Sequence, residues 1–397
     1  MAEPLLVQAG VVFTVLAVAG ALAWRVRQSV IPAYLLAGLL VGPYGPRVAG
    51  VSLAVVAPSE FVRLFAALGV VFLLFFIGVE FSVPTLLAEP RRILRAGGAD
   101  LAVNAGLGLA LGLAAGFTPL EAVLLALVVY PSSSAVITKS LVDLGWVADR
   151  ESEAIIGVLV AEDVVMAVAL AVLAAATLGG SSASVLRALA ESLALLVGFV
   201  LLATVGRRLV EAAFDTRSDE LFLLRVVGLV ALLAGLAAAT GVSEAVAAFF
   251  VGAAISESDL APRLESVLHP VRDLFAAVFF FAIGLETDPV AIAGVGGLLV
   301  VGVVVTTLGK LASGTLGGRA YRLHPRRSRR VALALVTRGE FSLVVAALAV
   351  ATPAASSPVP AFAVGYVLVM SLLGTVLMGA SGTLERWFGP RGPAGAD

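Results

Sequence analysis

Long apolar segments make up most of the chain, and they do not alternate between apolar and polar positions. A helix of about 20 mostly apolar residues covers the hydrocarbon core of a bilayer. Thirteen segments approach or exceed that length, with the second and the ninth short for a full span: 5–24, 29–43, 60–80, 91–116, 119–141, 150–178, 184–213, 218–239, 242–257, 269–286, 289–318, 327–351 and 359–384. Because lipid offers no partners to backbone groups and a barrel requires alternation, the segments predict an all-α integral membrane protein of about thirteen transmembrane helices.

The composition supports a bilayer rather than water as the main solvent. Hydrophobic residues make up 60% of the chain and charged residues 13%, and the mean hydropathy is +1.07. Soluble domains contain about 45–50% apolar and about 25% charged residues. The chain has no cysteine, which excludes disulfides, thiolate metal sites and Cys nucleophiles. No basic run precedes the first apolar segment, so we expect no cleaved signal peptide.

The basic residues between the segments predict the orientation of the chain. Most of the 26 basic residues fall in the odd-numbered loops and the C-terminal tail, whereas the even-numbered loops contain Arg47, Arg63 and Arg187. Lys and Arg gather on the cytoplasmic side of membrane proteins. We therefore expect a multi-pass protein of the plasma membrane with its N-terminus outside and its C-terminus in the cytoplasm. The basic run at 317–330 is expected to anchor two helices there, or to bind lipid headgroups or a partner.

The sixth segment carries two adjacent carboxylates, Glu162 and Asp163, with apolar runs on both sides. Ionisable groups within a membrane span are costly and usually face a bundle interior or a water-filled cavity. Neighbours on a helix point about 100° apart, so one acid can face a cavity while the other meets a partner on a facing helix. The alternative is a buried polar pair that only holds helices together.

The eleventh segment contains Lys310, one of two lysines in the chain. One interpretation is that Lys310 lies near a helix end and extends its side chain to the cytoplasmic interface. The functional interpretation pairs its ammonium group with Glu162 or Asp163.

The fifth segment is predicted to be interrupted at Pro131, which Ser132, Ser133 and Ser134 follow. A proline removes a backbone donor, and serine hydroxyls can bond to the freed carbonyls or bind a cation. A proline kink without any ligand role is the alternative.

The twelfth segment is predicted to be interrupted at TRGEFS (337–342). The fifth and twelfth segments are seven apart and therefore oppositely oriented, which suggests inverted repeats with two discontinuous helices crossing near the midplane. Arg338 and Glu340 are expected to neutralise exposed helix ends, or each other.

Other features of the sequence carry less weight. Glu80, Asp100 and Glu286 lie near segment ends, where we expect interfacial positions rather than transport roles. The glycines of GLGLALGLAAG (106–116) are spaced for close helix packing, and no strand precedes them, so they do not form a dinucleotide-binding loop. No GxxxxGK[ST] motif occurs, so ATP-driven pumping is not supported.

Eight fragments of the chain resemble the transmembrane domain of the cation–proton antiporter superfamily, particularly its Kef-type and bacterial sodium–proton branch. The order and spacing of the fragments are more specific than any one of them, and together they cover nearly the whole chain. The matching fragments are LLAGLLVGPYGP (35–46), GVVFLLFFIGVEF (69–81), PSSSAVITKSL (131–141), AEDVV (161–165), AAFFVGAAISES (247–258), FFFAIGLETD (279–288), LGKLASG (308–314) and RGEFSLV (338–344).

The resemblance implies a homodimer in which a core domain slides against a scaffold domain. It implies scaffold helices in 1–88 and 179–286, core helices in 89–178 and 287–387, and a disordered tail at 388–397. Many Kef-type proteins also carry a cytosolic nucleotide-binding domain, and this chain shows no such domain. We expect no cofactor and no nucleic-acid partner.

The resemblance also implies roles for the charged residues. Asp163 matches the family's cation- and proton-binding aspartate, and Lys310 matches a lysine that pairs with the first acid in electrogenic members. Glu162 departs from the Gln of Kef-type members and the Asp or Asn of sodium–proton members, so stoichiometry stays open.

The predicted function is exchange of a monovalent cation, Na⁺ or K⁺, for protons by alternating access. Deprotonated Asp163 would bind the dehydrated cation with help from Ser132 to Ser134, whereas protonated Asp163 would not. If cation binding breaks a Glu162–Lys310 pair, Lys310 would release a second proton and make exchange electrogenic.

Other classes of membrane protein predict different behaviour. A cation channel would conduct without a proton gradient, and a sodium-coupled organic-anion symporter would ignore pH. An intramembrane hydrolase would need an activated nucleophile, but no membrane-embedded His accompanies the serines. A purely structural membrane protein would leave Glu162, Asp163 and Lys310 without a role. We expect no enzyme activity.

Overall fold

The computed structural model describes residues 5–26, 28–48, 51–80, 89–146, 149–177, 214, 216–239, 244–256, 258, 260–350 and 357–382. The helices of these ranges, in chain order, are α1 Leu5–Arg25, α2 Val30–Val41, α3 Glu60–Glu80, α4 Pro90–Ala114, α5 Pro119–Val129, α6 Ser134–Asp143, α7 Arg150–Thr177, α8 Asp219–Ala239, α9 Glu244–Ile255, α10 Ala261–Glu286, α11 Pro289–Gly294, α12 Gly296–Ala320, α13 Pro325–Ala334, α14 Glu340–Val350 and α15 Val359–Gly379. Two short strands, β1 Arg47–Val48 and β2 Val51–Ser52, pair antiparallel in the loop after α2.

The helical fold class predicted from the apolar segments is confirmed. Seven helices of the described ranges are long and apolar enough to cross a membrane, namely α1, α3, α4, α8, α10, α12 and α15, and α2, α5 and α14 are shorter apolar helices. Each predicted segment has a helical counterpart except the seventh, at 184–213, which lies outside the described residues. The total of thirteen spans therefore stays a prediction.

The tenth segment shows where an apolar pattern misplaces a helix end. Its predicted start was near residue 269, but α10 begins at Ala261 with Pro262 in its first turn. The first turns carry charged residues, which end an apolar run without ending a helix. Pro in the first turn is tolerated because the N–H groups there have no partner within the helix.

Both predicted interruptions are present as breaks between half-helices. Helix α5 ends at Val129 and α6 begins at Ser134, so the first break contains residues 130–133. Helix α13 ends at Ala334 and α14 begins at Glu340, so the second break contains residues 335–339. Helix α5 starts with a capping box, in which the Thr118 hydroxyl accepts from the Glu121 N–H and the Glu121 carboxylate accepts from the Thr118 N–H.

Glycines bring α4 into close contact with α5, as their spacing predicted. A Cβ added at Gly108 would lie 2.6 Å from the Ala126 Cα, and one at Gly112 would lie 2.7 Å from the Ala122 Cα. The prediction is wrong for Gly116, which has a φ of +80° and no atom within contact range of an added Cβ. Gly116 instead forms the turn after α4, because a positive φ is easily adopted only by glycine.

Helices α2 and α10 touch through their backbones. A Cβ added at Gly38 would overlap the Phe281 carbonyl oxygen, and one added at Gly284 would overlap the Leu35 carbonyl oxygen. Aromatic rings fill the neighbouring space, where Phe72 of α3 and Phe275 of α10 stack with centroids 5.5 Å apart. These helices fall in the part of the chain that we predicted to be the scaffold, and the division into scaffold and core stays a prediction.

Candidate ion-binding site

The two helix breaks lie against each other. The Ser133 N–H donates to the Thr337 carbonyl at 3.2 Å, and the Ser132 hydroxyl donates to the Leu335 carbonyl at 3.0 Å. On the far side, the Ser342 hydroxyl of α14 donates to the Val128 carbonyl of α5 at 2.6 Å. Hydrogen bonds therefore join both breaks into one polar crossing inside an apolar bundle.

Arg338 closes the C-terminal ends of both half-helices that enter the crossing. Its side chain is fully buried. Nε donates to the Val129 carbonyl at the end of α5, at 3.1 Å. The two N–H groups of Nη1 are shared among the carbonyls of Leu335, Val336 and Thr337 after α13, at 2.8, 2.9 and 2.9 Å. A cation at these ends satisfies backbone acceptors and opposes the negative pole of each half-helix.

Glu340 accepts hydrogen bonds from two of the predicted ligand serines. Ser133 Oγ lies 2.8 Å from one carboxylate oxygen of Glu340, and Ser134 Oγ lies 3.2 Å from the other. Gly339 permits this approach, because a Cβ there would overlap the Ser133 hydroxyl. Ser133 and Ser134 are thus brought to Glu340, and their predicted role as ligands of a cation at Asp163 stays a prediction.

Glu162 is buried and held by the third serine and by Lys310. The Ser132 N–H donates to one carboxylate oxygen at 2.5 Å, and the other carboxylate oxygen lies 2.9 Å from the Ser132 hydroxyl, whose single hydrogen it shares with the Leu335 carbonyl. Lys310 Nζ lies 2.6 Å from Glu162 Oε1. Lys310 itself is fully buried, so the interpretation that it extends to the membrane surface is wrong. The structure places Lys310 against one of the two acids considered as its partner.

Asp100 is a further partner of Lys310 that our sequence analysis missed. We expected an interfacial position, but Asp100 is fully buried with Oδ2 at 2.6 Å from Lys310 Nζ. The Ser313 hydroxyl and the Asn104 amide donate to Oδ1 at 2.7 and 2.9 Å. The expectation failed because α4 begins with basic turns that precede its apolar part. Residue 100 therefore lies farther from the start of the helix than the apolar pattern indicates. Asn104, one turn later on the same face, was the signal available in the sequence.

Asp163 is half-buried and follows Glu162 directly on α7. Tyr130 is fully buried at the first break. Lys310 Nζ lies 5.4 Å from the centre of the Tyr130 ring. Lys310 therefore joins Asp100 and Glu162 beside a crossing that also contains Arg338 and Glu340.

A second charged cluster joins the first turn of α7 to α13. Glu151 is fully buried and accepts from Arg327 Nη1 at 2.9 Å and Arg330 Nη1 at 2.7 Å. The Arg330 guanidinium also lies 4.8 Å from the centre of the Trp146 ring. Nearby, at the end of α12, burial raises the pKa of Tyr321 to about 12.

Comparison with known proteins gives concordant matches over nearly the full length. A family model described as the transmembrane sodium/hydrogen exchanger matches residues 11–379. The K⁺/H⁺ antiporter subunit KhtU of Bacillus subtilis (strain 168) is 35% identical over 388 residues, which cover 97% of this chain and 95% of the relative. The ammonium/H⁺ antiporter subunit AmhT of Alkalihalophilus pseudofirmus is 29% identical over 380 residues, covering 95% and 93%.

The fold also matches a solved structure. The sodium proton antiporter MjNhaP1 from Methanocaldococcus jannaschii at pH 8 aligns with a TM-score of 0.69 over 96% of this chain and 98% of that chain. The sequence identity is 16%, so this likeness concerns the fold alone.

Proposed function

We propose, from the premise that this chain belongs to the transmembrane sodium/hydrogen exchanger family, that Asp163 is the group at which cation and proton compete. The chain is a multi-pass membrane antiporter that exchanges a monovalent cation for protons. Deprotonated Asp163 binds the cation, protonated Asp163 does not, and movement of the occupied site couples the two fluxes without ATP.

One observation carries the assignment of Asp163. Asp163 is half-buried in the middle of α7 and directly follows Glu162, which the Ser132 N–H of the first break and Lys310 contact. Backbone carbonyls at interrupted helices can replace water around a dehydrated cation, and the first break, at 130–133, contacts the residue that precedes Asp163. Ser132 to Ser134 stabilise the crossing and remain proposed contributors to the ion site.

We propose K⁺ as the principal cargo. The relative KhtU is named for K⁺ and AmhT for ammonium. The likeness to a sodium antiporter rests on the fold, which does not specify the ion. Ammonium is accordingly the first competitor to test, followed by Na⁺.

We further propose that the chain lies in the plasma membrane as a homodimer, with its N-terminus outside and its C-terminus in the cytoplasm. The distribution of basic residues supports the orientation, and the resemblance to the antiporter superfamily supports the dimer. KhtU and AmhT are both named as antiporter subunits, which supports a further polypeptide partner. Exchange by the purified chain alone will separate its own activity from that of any partner.

The test is a pH-dye assay in proteoliposomes that contain the purified chain. Addition of K⁺, ammonium, Na⁺ or Li⁺ to vesicles with a preset pH gradient should release protons with the preferred ion. Asp163→Asn should abolish this flux while the protein still folds and inserts. Asp273→Asn, which makes the same chemical change at an exposed position of α10, is the matched control and should exchange normally.

Three outcomes would count against the proposal. Flux in Asp163→Asn above about a tenth of the wild-type value, a loss of less than about 1.4 kcal/mol of transition-state stabilisation, would assign the ion to another carboxylate. Cation flux that persists without a proton gradient at a far higher rate would indicate a channel. Uptake of an organic anion that follows Na⁺ and ignores pH would indicate a symporter.

A further inference from the structure

The buried cluster around Lys310 contains unequal numbers of opposite charges. Two carboxylates, Asp100 and Glu162, share the single ammonium group of Lys310, with both N–O distances at 2.6 Å. All three side chains are at most 1% exposed, so water screens none of them. When all three groups are ionised, the cluster carries one net negative charge.

The contacts of Asp100 match those of an ionised carboxylate. Lys310 donates to one oxygen, and Ser313 and Asn104 donate to the other. An ionised carboxylate can accept all three hydrogen bonds, whereas a protonated carboxyl group would itself need an acceptor for its O–H. Because Ser313 and Lys310 are on α12 and Asn104 is on α4, Asp100 is fixed between two packed helices.

The net charge lies close to the proposed ion site. Glu162 directly precedes Asp163 in α7, and Lys310 Nζ lies 2.6 Å from both Glu162 and Asp100. Asp100 therefore acts on the region of Asp163 through space, although its own oxygens are occupied by Lys310, Ser313 and Asn104.

We propose that Asp100 determines cation affinity: it leaves the Lys310 cluster with one negative charge in excess, and this charge attracts the transported cation to Asp163. The inference rests on the proposed function, in which Asp163 is the ion-binding carboxylate. Without Asp100, Lys310 and Glu162 would neutralise each other. Two unit charges about 10 Å apart at an effective dielectric constant of about 20 change an affinity roughly tenfold.

The first experiment measures cation concentration dependence in proteoliposomes for wild type and Asp100→Asn. We expect the KM for K⁺ to rise roughly tenfold, with the maximal rate changed less than about threefold, because the charge acts on binding. Asp100→Glu, which retains the charge, should restore most of the affinity. Ser313→Ala removes a hydrogen bond to Asp100 but no charge, so its KM should rise much less than that of Asp100→Asn.

The same data distinguish a charge effect from direct ligation. A net charge does not discriminate between ions of equal valence, so the KM for ammonium should rise by the same factor as the KM for K⁺. An unchanged KM in Asp100→Asn would overturn the proposal. Equal rises in Asp100→Asn and Ser313→Ala, or a changed ratio between the two cations, would also overturn it.

A double variant keeps the test decisive if Asp100→Asn does not fold. Asp100→Asn/Asn104→Asp exchanges a carboxylate and an amide one turn apart on the same face of α4, so the cluster keeps Lys310, Glu162 and its original net charge. The proposal expects a KM within about threefold of wild type, whereas a KM raised tenfold or more in a folded double variant would refute it. Asp163→Asn is measured in the same series, and cation-dependent proton flux in that variant would contradict the proposed function itself. If Asp163→Asn has no flux and the KM of Asp100→Asn is unchanged, only the present inference is contradicted.

Discussion

Replacing Arg338 tests whether one side chain holds the two helix breaks together. Arg338 donates to four backbone carbonyls at the crossing, but two of these have a second donor. The Leu335 carbonyl also accepts from Ser132, and the Thr337 carbonyl from the Ser133 N–H. Among the described residues, Arg338 is the only side-chain donor to the carbonyls of Val129 and Val336.

The expected cost of Arg338→Met follows from these two carbonyls. A buried polar group without a partner costs about 1–3 kcal/mol, so two cost about 2–6 kcal/mol. Loss of the cation from two half-helix ends adds to this. Arg338→Lys keeps the charge and up to three donors on a compact head without the planar fork, so it should recover only part of the loss.

Thermal unfolding of the detergent-solubilised protein checks the prediction. The midpoint should fall in the order wild type, Arg338→Lys, Arg338→Met. Arg95→Met, which removes an exposed arginine from α4, is the control and should unfold close to wild type. If Arg338→Met unfolds at the same temperature as Arg95→Met, the carbonyls of the crossing do not depend on the guanidinium, and our account of the breaks is wrong.

Two further predictions concern packing and the second charged cluster. Gly284→Val should lower the unfolding midpoint strongly, because its Cβ would overlap the Leu35 carbonyl. Gly98→Ala is the control, since Gly98 has open space around it, and should leave the midpoint unchanged or slightly higher. Equal effects of the two variants would contradict the backbone contact. Glu151→Gln should destabilise the protein by about 1–3 kcal/mol, because it removes the buried negative charge that pairs with two partly exposed arginines. An unfolding midpoint within error of wild type would show that these ion pairs make no net contribution to stability.

The sequence predicted the helices because membrane insertion imposes a length and an apolar content that are visible locally. The two breaks were predicted for a similar reason, since Pro131 removes a donor and Arg338 and Glu340 interrupt an apolar run. These signals arise within single segments and need no knowledge of how the segments pack.

The partners at the crossing could not be predicted from the same patterns. Asp100 and Lys310 are 210 positions apart, so their contact depends on how α4 and α12 pack. Which serine meets which carboxylate depends on the rotation of each half-helix, since neighbouring residues point about 100° apart. That rotation sends Ser132 to Glu162 and Ser133 to Glu340, a distinction that three consecutive serines do not reveal.

The bond from the Ser133 N–H to the Thr337 carbonyl uses atoms that every residue except proline supplies. Side-chain substitution at either position therefore leaves this bond available, whereas a change in chain length does not. An insertion of one residue into 130–133 or 335–339 would shift the donor past its acceptor and turn the following half-helix by about 100°. This main-chain bond is thus tolerant of side-chain substitution and intolerant of insertion, so the length of each break is constrained independently of its side chains.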